Sequence, residues 1–334
     1  MPAVNAPDTQ SEYHAIKSGA GLCLLGDRLI VRVNGDDRVS FMHGMCTADV
    51  KGLTPGMIAP ALFLTEHAHV IADCFIYALQ EPALWLEVER PRWGAIREHL
   101  EKFLVADDVE LEELSSLAVL DIEGSASCEA AGGVFGNASR TLEPWRHLQN
   151  DGRLIASLPR FGGTAFTVIA ERTALGAVVE RMKQSCPEMR ELNRGILDIV
   201  RIEHGLARVG IDTNERTLAL EARLDPAISF NKGCYVGQET IERATAHGAL
   251  KRRLYGLRLT GGELPPAGAL IKLEGKEVGR LTSVARSPEA GIIGLAILHH
   301  SAWTSGTPVS ITGDNGTVAG SVCELPFSAT ALTR

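Results

Sequence analysis

Aromatic side chains are scarce in this sequence, at 5% Phe, Trp and Tyr, so its core must rest on Leu, Ile, Val and Ala. A surplus of cations is missing too. The formal charge is −8, which argues against a chain that coats nucleic acid, because phosphate binding needs clustered Lys and Arg. The one dense basic cluster, Lys251-Arg252-Arg253, reads as the solvated start of a strand. Long apolar runs are absent. No window approaches the roughly 18 consecutive apolar residues of a membrane span, so no membrane association is expected. Residues 1–10 contain Pro and Asp and no cation, unlike a secretory signal.

Paired cysteines are lacking as well. Cys23, Cys46, Cys74, Cys128, Cys186, Cys234 and Cys323 are scattered and never spaced as CxxC, so neither a disulfide framework nor a zinc cage follows. No metal ligand set is expected. A reduced, cytoplasmic setting is, with the mitochondrial matrix as the alternative if a presequence has been removed. The chain also has no P-loop, no GxGxxG after a strand, no HExxH and no GxSxG elbow. His299-His300 has no carboxylate or thiol nearby in sequence and reads as packing.

What is present, in 334 residues, suffices for two or three domains. The first ten residues read as a loose polar arm. Residues 29–33 alternate like a strand, Gly35-Asp36-Asp37 offers a helix start, and Phe41, Met42 and Met45 recur at helical spacing. Strands are expected at 60–64, 70–79 and 83–88. A helix at 90–103 with Pro91 in its first turn and a strand at 109–114 follow. A second, similar cycle runs through strands at 117–122, 153–158 and 164–170 and helices near 125–132 and 173–185. Two such cycles suggest a duplicated α+β module of ferredoxin-like type. Residues 191–204 form the strongest helix of the middle region. From Arg253 onward, short strands alternate with Gly, Pro and Asp314-Asn315-Gly316 turns, the spacing of a small β-barrel.

Three places could carry chemistry. In Asn231-Lys232-Gly233-Cys234-Tyr235-Val236-Gly237-Gln238-Glu239-Thr240, a cysteine lies between glycines, near a lysine and a helix start. A thiolate is favoured there, so Cys234 is a reactive-thiol candidate; the plainer reading is a buried cysteine in a glycine turn. In Arg201-Ile202-Glu203-His204-Gly205, Glu203 could accept two parallel N–H bonds from an aminopyrimidine, or be a solvated partner of Arg201 or His204. Asp73 lies in the apolar run 70–77, on the face of Ile71 and Phe75. It is either paired and functional or placed at the strand's wet end.

In order and spacing, Arg201-Ile202-Glu203-His204-Gly205, Asp212, Glu221 and the run from Ile228 to Thr240 resemble YgfZ-type proteins and their glycine-cleavage T-protein (aminomethyltransferase) relatives. Gly35-Asp36-Asp37-Arg38-Val39-Ser40-Phe41 with Thr47-Ala48-Asp49-Val50 resembles that family's N-terminal helix and turn. The resemblance implies an α+β fold, with duplicated ferredoxin-like subdomains forming a folate-binding ring and a small C-terminal β-barrel. It implies a layout of 1–27 as arm and lead-in, 28–248 as the folate-binding domain and 249–334 as the barrel. Tetrahydrofolate is the implied cofactor, with Glu203, Asp73, Tyr235 and Arg201 as its binding residues. Cys234, Lys232 and Asp73 are the implied catalytic residues, Lys232 favouring the Cys234 thiolate. Iron–sulfur proteins are the implied clients, to be assembled or repaired. Two alternatives are a folate-dependent one-carbon transferase and a non-catalytic folate-binding scaffold. The sequence departs from the family at Ala72, where T-proteins carry a first aspartate. It also departs at His69, which replaces a glycine, and at Leu218-Ala219-Leu220-Glu221, where relatives often read Leu-Pro-Gln-Glu.

Overall fold

The structure, a computed structural model, describes residues 6–246, 250–313 and 316–327. The Asp314-Asn315 part of the expected hairpin turn and residues 247–249 of the expected domain boundary lie outside the described residues. The described chain falls into two compact units. One takes the chain up to Phe63, Ile71–Ile196 and Ala227–Val236; the other takes Leu64–Val70, Leu197–Pro226 and the chain from Gly237.

The first unit begins with α1 (Ala6–Ser18), so from residue 6 the expected loose arm is a helix. β1 (Gly21–Leu24), β2 (Arg28–Asn34), α2 (Arg38–Met45), β3 (Ile58–Leu64), β4 (Val70–Ala78), β5 (Leu84–Glu89), α3 (Arg90–Phe103) and β6 (Glu110–Glu113) follow. The cycle then repeats as β7 (Leu117–Glu123), α4 (Ser127–Phe135), α5 (Asn137–Arg140), β8 (Arg146–Asn150), β9 (Arg153–Ser157), β10 (Ala165–Glu171), α6 (Leu175–Ser185) and β11 (Arg190–Glu191). One sheet has the order β3-β4-β5-β2-β6 and the other β8-β9-β10-β7-β1-β11. The five strands of the first match the first five of the second in order, and β11 adds a sixth. In the second sheet β1, from the start of the chain, takes the place that β6 holds in the first, antiparallel to the strand that opens the cycle.

Alternation assigns the faces. Leu29, Val31, Val33, Ala72, Cys74, Ile76, Leu84, Leu86 and Val88 point into a core closed by Trp93, Ile96 and Leu100 of α3. Leu120, Ile122, Phe166, Val168 and Ala170 do the same against Ala130, Val134, Val178 and Met182 of α4 and α6. The cores are mainly aliphatic, as the scarcity of aromatics requires. The other faces of β4, β5, β7 and β10 carry polar residues instead, described below. At one edge the sheets meet at a bridge, Met57 opposite Arg146, with His147 Nε2 2.8 Å from Ala78 O beside it.

α7 (Arg194–Glu203) leads into the second unit, which adds α8 (Gln238–Ala246) and six strands: β12 (Arg252–Leu259), β13 (Leu270–Leu273), β14 (Lys276–Ser287), β15 (Gly291–His299), β16 (Pro308–Gly313) and β17 (Gly316–Cys323). They close as a barrel, β12-β15-β14-β13-β16-β17, sealed by the antiparallel β12–β17 pair. The expected α+β class with a terminal barrel is the observed one.

Candidate functional site

Cys234 sits on an exposed loop of the first unit. The loop is stitched to the C-terminal end of α2, where four backbone carbonyls lack helical partners. Lys232 Nζ donates to the carbonyls of His43, Cys46 (2.7 Å) and Ala48 (2.8 Å). Val236 N–H donates to Gly44 O at 3.2 Å, and Ser229 N–H to Thr47 O at 2.9 Å. Thr47 Oγ1 donates to Ala227 O at 2.5 Å and accepts from Leu62 N–H at 2.8 Å. A cation among C-terminal carbonyls also suits the helix dipole. An ammonium has three donors, and all three are spent on carbonyls. Lys232 therefore holds the loop, with its donors directed at carbonyls rather than at Cys234. Burial lowers the Lys232 pKa. Tyr235 lies under this ammonium, its ring centroid 4.9 Å away, and is largely buried.

Asp73 stands on β4, on the face opposite the apolar core, and is half-buried. Burial pushes its carboxyl up; Arg28 pulls it down and Glu89 pushes it up again. It belongs to a polar layer that sequence reasoning missed. Arg160 makes two contacts to Glu87, at 2.7 and 2.9 Å, and lies 3.5 Å from Asp121. Tyr77 donates to Glu87 at 2.7 Å, and Thr167 donates to Asp121 at 2.9 Å. Arg28 flanks Glu87 at 3.6 Å. Burial alone would raise the Glu87 pKa, but Arg160 and Arg28 outweigh it and hold the carboxyl low. Glu123, two residues beyond Asp121 on the same face of β7, is only 1% exposed. Its burial and the neighbouring Asp121 push its pKa well up. As carboxylates, Glu123 and one oxygen of Asp121 would have no hydrogen-bond partner; a proton held on Glu123 and shared with Asp121 supplies one. The signal was legible in principle: carboxylates two apart within the apolar strands Leu84–Glu89 and Leu117–Glu123.

In the second unit, Arg201 is a keystone. It donates to Asp198 (2.6 Å), Leu206 O (3.2 Å), Asp212 (2.9 Å) and Ser283 (2.9 Å). Asp212 also accepts from Ser283 at 2.7 Å and Thr282 at 2.5 Å, and Glu221 pairs with Arg252 at 3.1 Å. Arg201, Asp212 and Glu221 thus fasten the segment after α7 to the barrel. Glu203, at 2% exposure, is not solvated; its Oε1 accepts from Ser287 of β14 at 2.5 Å. Gly205 ends the helix at φ +70°, with Leu325 2.7 Å from where a Cβ would stand. Lys232, Cys234, Tyr235 and Asp73 lie in the first unit; Arg201 and Glu203 lie in the second.

A twice-repeated α+β unit followed by a closed six-stranded barrel defines an aminomethyltransferase-type fold. The GCVT N-terminal domain model matches residues 3–232, and the glycine cleavage T-protein C-terminal barrel domain model matches residues 252–328. The chain belongs to the glycine-cleavage T-protein family. It is similar to a chloroplastic protein of Arabidopsis thaliana that carries the name of a transferase, 29% identical over 309 residues, covering 90% of this chain and 69% of the other. It is 28% identical to the tRNA-modifying protein YgfZ of Sodalis glossinidius over 255 residues, 76% of each chain. The crystal structure of the glycine cleavage system aminomethyltransferase T from Bartonella henselae has the same fold, with a TM-score of 0.90 at 20% identity, over 100% of this chain and 93% of the other.

Proposed function

We propose that this chain binds tetrahydrofolate and supports the assembly or repair of iron–sulfur proteins through the thiol of Cys234. The observation that carries this reading is the presentation of Cys234: an exposed thiol on a loop held at several points to the end of α2. A structural cysteine is ordinarily buried. Glu203 supports the folate part, since its carboxylate is buried and oriented by a serine hydroxyl. Such a group fits the N–H edge of an aminopyrimidine through charge-assisted hydrogen bonds. Arg201 contributes by holding the segment that follows Glu203.

Calorimetry with tetrahydrofolate tests the folate part. The native chain binds saturably, and Glu203→Ala weakens binding by about 1.5–3 kcal/mol, the scale of a hydrogen bond to a charged group. Absence of binding by the native chain removes the folate reading. Complementation tests the thiol part. In cells lacking the protein, an iron–sulfur dehydratase regains activity with the native chain and not with Cys234→Ser.

Asp73 favours a second reading, one-carbon transfer to tetrahydrofolate, which the transferase names among the relatives also support. A carboxylate beside a forming iminium stabilises its developing charge, and Asp73 sits half-buried between the opposing pulls of Arg28 and Glu89. Formation of methylene-tetrahydrofolate from an aminomethyl donor, lost in Asp73→Asn and kept in Cys234→Ala, selects this reading over the first.

A further inference from the structure

Along the polar layer from Asp73, the first unit carries a cleft that no part of the proposed function uses. Asp73 and Tyr77 stand four residues apart on β4, about 13 Å. Tyr77 pairs in register with Trp85 of β5, and Trp85 with Arg32 of β2. Trp85 and Arg32 line the cleft, whose volume is about 390 Å³, within the range of small-molecule sites. Its other residues include Leu117 of β7, Glu171 of β10 and Arg153 of β9, all from the second α+β cycle. The turn Asp151-Gly152 sets this arginine in place. Both its residues are left-handed, at φ +49° and +70°, and Asn150 pairs with Arg153 across it.

The donors of this cleft are largely unspent. A guanidinium carries five N–H groups. Among the described residues Arg153 has one partner, Asp151 of its own turn, at 3.8 Å, beyond hydrogen-bond length. Arg32 reaches Glu112 at 3.4 Å and Glu81 at 3.7 Å. Arg32 Nε and the Trp85 indole N–H are buried with no hydrogen-bond partner among the described residues. Buried donors without an acceptor cost stability. The two arginine side chains are 32% and 26% exposed, whereas the carboxylates of Glu81, Asp151 and Glu171 stand out in solvent. Glu171 is oriented by the Ser116 hydroxyl, which donates to it at 3.0 Å. Leu114 and Leu117 add apolar surface.

We propose that this cleft binds an α-amino acid with an apolar side chain. The ligand carboxylate lodges against Arg32 and Arg153, whose planar forks match that group, and supplies the acceptor that the buried donors lack. The ammonium faces the exposed carboxylates, and the side chain lies along Leu114, Leu117 and Trp85. A phosphate or dicarboxylate would meet those three carboxylates with like charge, and a plain amine would leave the arginines unpaired. Both α+β cycles line the cleft, so a bound amino acid ties them together. The site uses neither folate nor Cys234, so it stands or falls apart from the proposed function.

The experiment is calorimetry of the full chain with L-leucine, L-valine and L-phenylalanine, each beside its deaminated acid and its decarboxylated amine. At least one amino acid is expected to bind saturably, and about tenfold or more tightly than either of its truncated analogues. Arg32→Gln and Arg153→Gln are each expected to weaken that binding about tenfold or more. Hydrogen exchange with the ligand present should slow at 81–85 and 149–153. No saturation by any of the three at about 10 mM overturns the proposal. So does equal affinity for a truncated analogue, or an affinity unchanged in Arg153→Gln. Should Arg32→Gln fail to fold, Arg153→Gln decides alone, since Arg153 borders an exposed turn.

Discussion

Glu123 shows how a single side chain can set the pH response of its surroundings. Its folded pKa lies well above the ordinary 4.5 because burial and Asp121 both disfavour the charge. The folded state therefore holds this proton more tightly than the unfolded chain does. Stability from this group is fully present below the ordinary value and is lost as pH rises through the raised one. Glu87 works with the opposite sign, since Arg160 and Arg28 hold its pKa low and its contribution fades as pH falls. Glu123→Gln keeps the neutral shape at every pH. It is expected to melt higher than the native chain at neutral pH, with the gap closing toward about pH 4.5, as read by thermal melts across the range. A native chain that outlasts the variant at neutral pH would refute the shared-proton account.

At the scale of elements, the turn into α8 depends on Gly237. Its φ is +88°, and a Cβ there would stand 2.6 Å from Thr65 O. Gly237→Ala is thus expected to cost more than about 1 kcal/mol, with faster hydrogen exchange in α8 and the 65–68 turn. Glycine at this position was visible in the sequence; the carbonyl it must clear was not. The same division runs through the fold. α3 follows its Pro91 start and one-sided apolar pattern, and the barrel follows its turn spacing, because both signals are local. β1 escaped notice because its place in the second sheet is set by partners about a hundred residues away, Leu120–Glu123 of β7. The Cys234 loop shows this most clearly. Lys232 and Cys234 stand two apart in the sequence, which suggests direct assistance, yet the lysine is spent on carbonyls nearly two hundred residues upstream. The cleft beside Trp85 was passed over because nothing around Arg32 in the sequence reveals that Arg153 will line the same cavity.

For the molecule as a whole, Arg201 is the residue whose loss is expected to reach farthest, since it joins α7, the 206–212 segment and β14 within one unit. Arg201→Met leaves Asp212 buried without its cation, at a cost of about 3–5 kcal/mol. Urea unfolding should show this as a lower midpoint, and a loss under about 1 kcal/mol would mean that the hydroxyls of Thr282 and Ser283 suffice. Among the described residues, the barrel, closed on itself by β12 and β17, offers a second copy no unpaired strand. The first unit has no such protection along β6, an edge strand with free backbone groups on one side. Its Glu110, Glu112 and Glu113 are exposed there, and their mutual repulsion between chains keeps one edge from templating on another. Removing these charges with Glu110→Gln and Glu112→Gln should let self-association by strand addition begin at that edge, read as a concentration-dependent rise in mass.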